Sequence, residues 1–168
     1  MSRSLPRLTM NESTAACLHA NMHGMAKRSR VTDASPPPPT PPEPARCRVL
    51  LADDSVLTCE LFGEYLSRRG FGVIFAHDGE ATLAQALESR PDVIVLDLSM
   101  PRLDGVATIK RLKEDAHLRR VPVIVLTGHV GEARRQEALT AGAAAFLVKP
   151  CLPDEIERVI GEVLTRAA

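Results

Sequence analysis

The residues of this sequence best suited to chemistry are polar side chains at the ends of four apolar runs. They are Asp53, Asp54, Asp97, Thr127 and Lys149. Clustered carboxylates repel one another unless a cation joins them, and hard oxygen ligands of this kind suit Mg²⁺. A lysine beside them is a positive point charge for an anion such as phosphate, and a hydroxyl can donate to a phosphoryl oxygen. Together, such groups predict phosphoryl transfer to a carboxylate, catalysed mainly by positioning and charge neutralisation.

Each of these residues also has an ordinary structural explanation. Asp54 or Ser55 could cap a helix. Thr127 could be a β-branched strand residue, and Lys149 a solvated loop residue. Asp78, at the end of a further apolar run, fits a helix cap well. The chemical interpretation therefore depends on whether the fold brings the ends of the apolar runs together.

The elements that would position these side chains alternate regularly from residue 47 onward. Strands are expected at 48–53, 71–77, 91–97, 121–128 and 143–149, and helices at 55–70, 78–90, 105–114, 132–142 and 153–166. The strands are continuous apolar runs, which is typical of a parallel sheet covered on both faces. We predict a flavodoxin-like (βα)5 α/β fold, a doubly wound parallel sheet in the strand order 2-1-3-4-5. In such sheets ligands bind at the carboxyl ends of the strands, where the five polar side chains would meet.

The first 45 residues have a different composition. Residues 35–44 hold seven prolines in ten positions, and because proline lacks the N–H and fixes φ, this stretch is expected to be extended. Residues 1–45 are predicted to be a disordered extension with a Pro-rich linker, and residues 46–168 to form the folded domain. The alternatives are an SH3-like partner for the prolines, a targeting segment in residues 1–34, and a translation start at Met25.

Composition and charge argue against several classes of protein. No apolar run approaches the ~20 residues that a membrane span needs. The net charge is +3 over residues 1–46 and −3 over residues 47–168, and a mildly acidic folded part argues against direct nucleic-acid binding. The four cysteines are scattered without a C-x-x-C pair, which indicates a reducing, cytoplasmic location rather than a metal site.

Four segments of the chain resemble the receiver domain of two-component response regulators, the CheY-like superfamily. They are "VLLADDS", "VIVLDLSMPRLDG", "VPVIVLTG" and "AAAFLVKP", in the family's order and spacing, and the resemblance covers about residues 47–167. It implies a phosphorylation-dependent switch that catalyses its own phosphorylation and dephosphorylation, with no other enzyme activity expected.

The resemblance assigns a role to each matching residue at the metal site. Asp97 matches the phosphoacceptor, which takes its phosphoryl group from a sensor histidine kinase or a phosphotransfer protein. Asp54 matches the direct ligand of Mg²⁺, for which Mn²⁺ can substitute, and Asp53 matches a neighbour that acts mainly through water. The backbone carbonyl of Ser99 falls where the family supplies a further metal ligand.

The resemblance also implies a switch. Lys149 matches the lysine that contacts the phosphoryl oxygens, Thr127 the switch hydroxyl, and Phe146 the switch aromatic residue. The Lys149–Pro150 bond is expected to be cis. If Thr127 moves toward the phosphoryl group, Phe146 can turn inward and repack the face made by the fourth helix, fifth strand and fifth helix, which would contact a downstream protein target. At Leu152 the sequence departs from the family, because the usual cap of the fifth helix is missing.

We therefore expect a single-domain response regulator that signals through protein contacts, without a membrane or direct nucleic-acid binding. A receiver-fold adaptor that is not phosphorylated is one alternative. A receiver fragment of a larger hybrid protein is the other.

Overall fold

The computed structural model of the protein describes residues 47–128 and 131–167. The extension and Pro-rich linker expected over residues 1–45 lie outside the described residues. The strands are β1 (Arg48–Ala52), β2 (Gly72–Ala76), β3 (Val93–Leu96), β4 (Val123–Thr127) and β5 (Ala145–Val148). The helices are α1 (Val56–Arg68), α2 (Gly79–Ser89), α3 (Gly105–Glu114), α4 (Glu132–Thr140) and α5 (Pro153–Ala167).

All five strands are parallel and form one sheet. Their order is β2-β1-β3-β4-β5, which confirms the predicted flavodoxin-like topology. The register pairs Ala52 of β1 with Leu96 of β3, and Thr127 of β4 with Val148 of β5. Since paired residues lie side by side, the residues that follow these strands emerge next to one another.

The continuous apolar runs of the central strands fill two separate cores. On one face of the sheet, Leu50 and Ile94 pack with α2, α3 and α4. On the other face, Leu51 and Val95 pack with α1 and α5. Successive side chains of a strand point to opposite faces, so a strand covered on both sides must be apolar at every position. Each fully buried leucine or isoleucine contributes about 1.5–3 kcal/mol, and this burial makes the sheet a firm base for its loops.

Local signals begin and end the helices much as expected. Ser55 caps α1, its Oγ accepting the Thr58 N–H at 3.3 Å, and Asp78 caps α2, its Oδ1 accepting the Ala81 N–H at 2.7 Å. The chain after α1 turns at Gly70, whose φ of 88° lies in the left-handed region that glycine adopts freely. These short-range contacts set where each βα connection turns back toward the sheet.

Two details differ from the sequence-based expectation. The apolar residues Leu83, Ala86 and Leu87 of "DGEATLAQALESR" predict one buried face of the second helix. Leu87 is nevertheless 50% exposed, because the buried face of α2 is centred on Thr82 and Ala86. The start of α5 lacks a capping side chain at Leu152, yet the Leu152 N–H donates to Glu155 Oε2 at 2.9 Å. Glu155 thus reaches back to the first turn as in half of a capping box. Over residues 47–128 and 131–167, the helices are too short or too polar to cross a bilayer.

Candidate functional site

The carboxyl edge of the sheet gathers the polar residues singled out in the sequence. Asp53 and Asp54 directly follow β1, Asp97 directly follows β3, and Lys149 directly follows β5. Thr127 is the last residue of β4. Because β1, β3, β4 and β5 are consecutive neighbours in the sheet, all five side chains lie at one edge. Register alone therefore explains how residues far apart in sequence come together.

The three carboxylates form a compact acidic cluster. Asp53, Asp54 and Asp97 each offer one carboxylate oxygen within 4.8 Å of those of the other two. Asp53 and Asp97 are buried, at 1% and 5% exposure, whereas Asp54 is exposed. The cluster therefore has two fixed inner carboxylates and one that faces solvent, with the all-oxygen donor set that Mg²⁺ prefers.

Lys149 forms ion pairs with the two buried carboxylates. Its Nζ donates to Asp97 Oδ2 at 2.7 Å and also to Asp53 Oδ2. The Lys149 side chain is 24% exposed, so the ammonium lies between the interior and the solvent. Removing one partner from a buried ion pair leaves a charge without compensation, so this lysine holds the site together electrostatically.

Backbone N–H groups orient the same two carboxylates. The Ser55 N–H donates to Asp53 Oδ1 and the Ser99 N–H donates to Asp97 Oδ1, both at 2.9 Å. In each case an aspartate accepts from the residue two positions later, which is the Asx-turn pattern. These turns were not predicted, although an aspartate directly after a strand and two residues before a serine is a usable signal for them.

The pKa values of Asp97 and Lys149 follow from these contacts. Burial raises the pKa of Asp97, but the hydrogen bonds from Lys149 and the Ser99 N–H bring it below its ordinary value. Burial lowers the pKa of Lys149, but its hydrogen bonds to Asp53 and Asp97 raise it above its ordinary value. At neutral pH Asp97 is therefore a carboxylate, the form that can act as a nucleophile.

Thr127 is the unusual member of the site. Its side chain is fully buried, and its Oγ1 has no hydrogen-bond partner among the residues that the structure describes. A buried hydroxyl without a partner costs about 1–3 kcal/mol. This hydroxyl is available to donate to an additional acceptor beside Asp97.

Two other predicted residues lie near the site without joining the cluster. Phe146 is partly buried against the core shared with α2, α3 and α4, and the Arg135 guanidinium lies 5.7 Å from its ring centroid. The Lys149–Pro150 peptide bond is cis. Asp78, at the end of β2, caps α2 and does not contribute to the acidic cluster.

Gly105 lets α3 approach the segment that follows Asp97. A Cβ at Gly105 would lie 2.5 Å from the Leu98 Cα and 3.0 Å from the Asp97 carbonyl oxygen. Both distances are too short for a side chain, so only glycine fits. The glycine of the "LDG" sequence is thus a packing requirement of the site.

Comparisons with known proteins agree with this geometry. Residues 49–161 match the family described as the response regulator receiver domain. A probable transcriptional regulator ycf27 of Guillardia theta is 37% identical over 119 residues, which are 71% of this chain and 46% of that protein. The response regulator PleD of Caulobacter vibrioides is 37% identical over 103 residues, which are 61% of this chain and 23% of that protein. The chain thus spans less than half the length of these two relatives.

Solved structures give the same result for the fold. The chemotaxis response regulator CheY4 of Vibrio cholerae matches with a TM-score of 0.66 and 31% identity, covering 70% of this chain and 98% of that chain. The receiver domain of the Francisella response regulator 1452 matches with a TM-score of 0.67 and 29% identity, covering 73% and 99%. With the acidic cluster, the half-buried lysine and the sheet order already established, the chain belongs to the family of response regulator receiver domains, the phosphorylation-dependent switches of two-component signalling.

Proposed function

We propose that Asp97 accepts a phosphoryl group from a histidine kinase or a phosphotransfer protein, and that Mg²⁺ is required. The observation that carries this proposal is the position of Asp97: a buried carboxylate 2.7 Å from Lys149 Nζ and clustered with Asp53 and Asp54. A nucleophile for phosphorus must be deprotonated, and the charge that develops in transfer must be neutralised. Asp97 and its neighbours meet both requirements.

The donor set fits a magnesium ion. Asp54, Asp97 and the Ser99 carbonyl would hold Mg²⁺, with Asp53 acting mainly through water, and Mn²⁺ would be an acceptable substitute. When bound, Mg²⁺ supplies positive charge for the phosphoryl oxygens. Lys149 alone brings one positive charge to three carboxylates, which leaves the cluster net negative and attractive to a divalent cation.

Asp97, Lys149 and Thr127 would each have a separate role in the phosphoryl transfer. An Asp97 oxygen attacks phosphorus, the new O–P bond forms, and the bond between phosphorus and the donor's imidazole nitrogen breaks. Lys149 stays ionised. It can give up one of its two carboxylate partners and pair with the phosphoryl oxygens instead. The Thr127 hydroxyl, which lacks a partner among the described residues, gains an acceptor once phosphate is attached to Asp97.

The switch would follow from that last step. If Thr127 moves to donate to the phosphoryl group, the space next to it opens toward β5. Phe146 lies on β5 and could turn inward only by leaving the Arg135 guanidinium. We propose that this repacking alters the face formed by α4, β5 and α5, and that a downstream protein target reads the change without direct nucleic-acid binding.

An apolar surface beside the site suits the phosphoryl donor. Val56, Leu57 and Leu61 of α1 are 61%, 75% and 53% exposed, and Leu152 in the β5–α5 connection is 64% exposed. Exposed apolar side chains grouped near a reactive site often mark a protein-binding surface. We propose that the kinase or phosphotransfer protein docks here. The cytoplasmic location expected from the sequence stays a prediction.

Chemical phosphorylation tests the proposal directly. The protein is incubated with Mg²⁺ and acetyl phosphate or phosphoramidate, and intact mass is measured for an acid-stable, base-labile adduct. Asp97→Asn is expected to abolish the adduct. Asp92→Asn, at the opposite end of the same strand, is the matched control and is expected to retain it.

Two results would contradict the proposal. One is an adduct on Asp97→Asn equal to that on the wild-type chain. The other is a wild-type chain that stays unmodified in Mg²⁺, which would favour the adaptor interpretation. Binding of fluoroberyllate that depends on Mg²⁺ provides an independent check. To test whether the chain is a receiver fragment of a larger hybrid protein, the same assay is repeated on the full natural polypeptide.

A further inference from the structure

Arg102 has a backbone conformation that calls for an explanation. It lies in the segment between β3 and α3 and has a φ of 68°, in the left-handed region. Residues with a side chain rarely adopt this region, and they stay there only when their surroundings hold them. A contact of the Arg102 side chain is therefore expected to stabilise this backbone conformation.

That contact is an ion pair with a buried carboxylate. The Arg102 Nη1 lies 3.2 Å from Asp78 Oδ2, and the Asp78 side chain is only 6% exposed. The other oxygen, Asp78 Oδ1, accepts the Ala81 N–H at 2.7 Å and so begins α2. Asp78 is fixed by the helix that it caps, which makes it a firm anchor for Arg102.

The segment anchored in this way carries the proposed metal ligand. Ser99 lies three residues before Arg102, its N–H donates to Asp97 Oδ1, and its carbonyl is the proposed ligand. Within the segment, Leu103 donates its N–H to the Pro101 carbonyl at 2.9 Å. This hydrogen bond shapes the segment locally. Leu103 also packs against Gly79 at the start of α2, and Asp104 pairs with Arg134 of α4. The Arg102–Asp78 ion pair adds a charged tie between the segment and the start of α2.

We propose that Arg102 is a positioning residue for the metal site, and this inference rests on the proposed function. Through its ion pair with Asp78, Arg102 holds the segment so that the Ser99 carbonyl stays beside Asp97. Arg102 does not touch the metal or the phosphoryl group. Its loss should weaken Mg²⁺ binding while leaving the fold and the acidic cluster intact.

The test measures Mg²⁺ binding to the unphosphorylated protein by isothermal titration calorimetry at low ionic strength. Arg102→Asn removes the charge, and asparagine tolerates the left-handed conformation. Asp78→Asn removes the charge of the partner while keeping an oxygen to cap α2. Each variant is expected to weaken Mg²⁺ binding by about two- to fivefold, the range for a partly exposed ion pair.

Three further variants separate positioning from a general structural effect. The double variant Arg102→Asn with Asp78→Asn should bind no more weakly than either single variant, since both remove one interaction. Arg102→Lys keeps the charge and should retain most of the wild-type affinity for Mg²⁺. Arg158→Gln, which breaks the exposed Arg158–Glu162 pair on α5, should leave it unchanged. Amide hydrogen exchange at Ser99 should accelerate in Arg102→Asn and not in Arg158→Gln.

Each other outcome counts against the inference. Wild-type affinity in both Arg102→Asn and Asp78→Asn would overturn it while leaving the proposed function intact. An additive loss in the double variant would show that the two residues act independently and would also overturn it. A wild-type chain that does not bind Mg²⁺ would overturn the proposed function, and the inference with it.

Discussion

Thr127 illustrates how a single residue can be poorly placed for stability and well placed for function. Its hydroxyl is buried without a partner among the described residues, whereas the equally buried Thr82 donates its hydroxyl proton to the Asp78 carbonyl at 2.7 Å. The same side chain in the same degree of burial therefore has opposite energetic consequences. Buried polar groups without partners are uncommon in native proteins and tend to mark functional sites.

Replacing each threonine with valine should change stability in opposite directions. Thr127→Val removes an unpaired hydroxyl and should raise the free energy of unfolding of the metal-free protein by about 1 kcal/mol. Thr82→Val removes a paired hydroxyl and should lower it by about 1 kcal/mol. Urea denaturation monitored by circular dichroism measures both. A clear loss of stability in Thr127→Val would show that its hydroxyl is satisfied in solution.

At the scale of elements, the site depends on how closely α3 packs against the end of β3. The first residue of α3 is Gly105, and the backbone of Leu98 and Asp97 occupies the space where a side chain would be. The N-terminus of α3 therefore lies at a fixed distance from the end of β3. A change there should disturb the Asp97 segment even though Gly105 carries no functional group.

Gly105→Ala should lower the free energy of unfolding by about 1–3 kcal/mol, because the added methyl group forces backbone to move. It should also slow phosphorylation by acetyl phosphate, since the Ser99 segment lies against the displaced helix. Gly161→Ala on α5 is the matched control, because nothing lies within 4 Å of its Cβ position. There the better helix propensity should stabilise the protein by about 0.5–1 kcal/mol. Equal effects of the two substitutions would refute the packing argument.

The positions of the elements and of the strand-end residues could be predicted from sequence, and the reason is physical. Central strands covered on both faces must be apolar throughout, so Asp97 stands out at the end of "VIVL". The side-chain partners of loop residues could not be predicted. Arg102 and Asp78 are 24 positions apart, and Arg102 makes the contact from a left-handed backbone conformation that the sequence does not indicate for an arginine. The exposure of Leu87 was not predicted, because apolar spacing in the sequence does not show where the buried face of a helix ends.

At the scale of the whole molecule, Lys149 joins parts of the sheet that are not adjacent. It follows β5, and it reaches past β4 to the aspartates that follow β3 and β1. One ammonium thus compensates two buried carboxylates from two other strands. The stability of the domain should depend on this one side chain more than on its exposed ion pairs, which are worth about 0–1 kcal/mol each.

The pH dependence of stability follows from the direction of two pKa shifts. Asp97 has a lowered pKa, so its stabilising contribution is present above about pH 4, its unfolded value, and is lost as the pH falls through the lowered value. Lys149 has a raised pKa, so its contribution is complete below about pH 10.5 and is lost only as the pH rises through the raised value. Between these limits, Lys149→Gln should lower the free energy of unfolding by about 3 kcal/mol.

The measurement is a series of urea denaturation curves with a chelator present, at pH values from 3 to 8 for the wild-type and Lys149→Gln proteins. The difference in free energy of unfolding between the two proteins should shrink toward pH 3, because a protonated carboxyl group no longer forms an ion pair with the ammonium. Lys110→Gln, on the exposed surface of α3, should show little difference at any pH. A Lys149→Gln difference that stays constant down to pH 3 would contradict the role given to the ion pairs.

The interior position of β1 in the sheet has a consequence for when the acidic cluster can form during synthesis of the chain. β1 is made first among the described strands, yet it pairs with both β2 and β3. Lys149, which pairs with two carboxylates of the acidic cluster, follows β5. Asp53 and Lys149 are 96 positions apart, so no short segment can assemble the cluster alone. The acidic cluster and its lysine therefore come together only after the sheet has formed from β1 to β5.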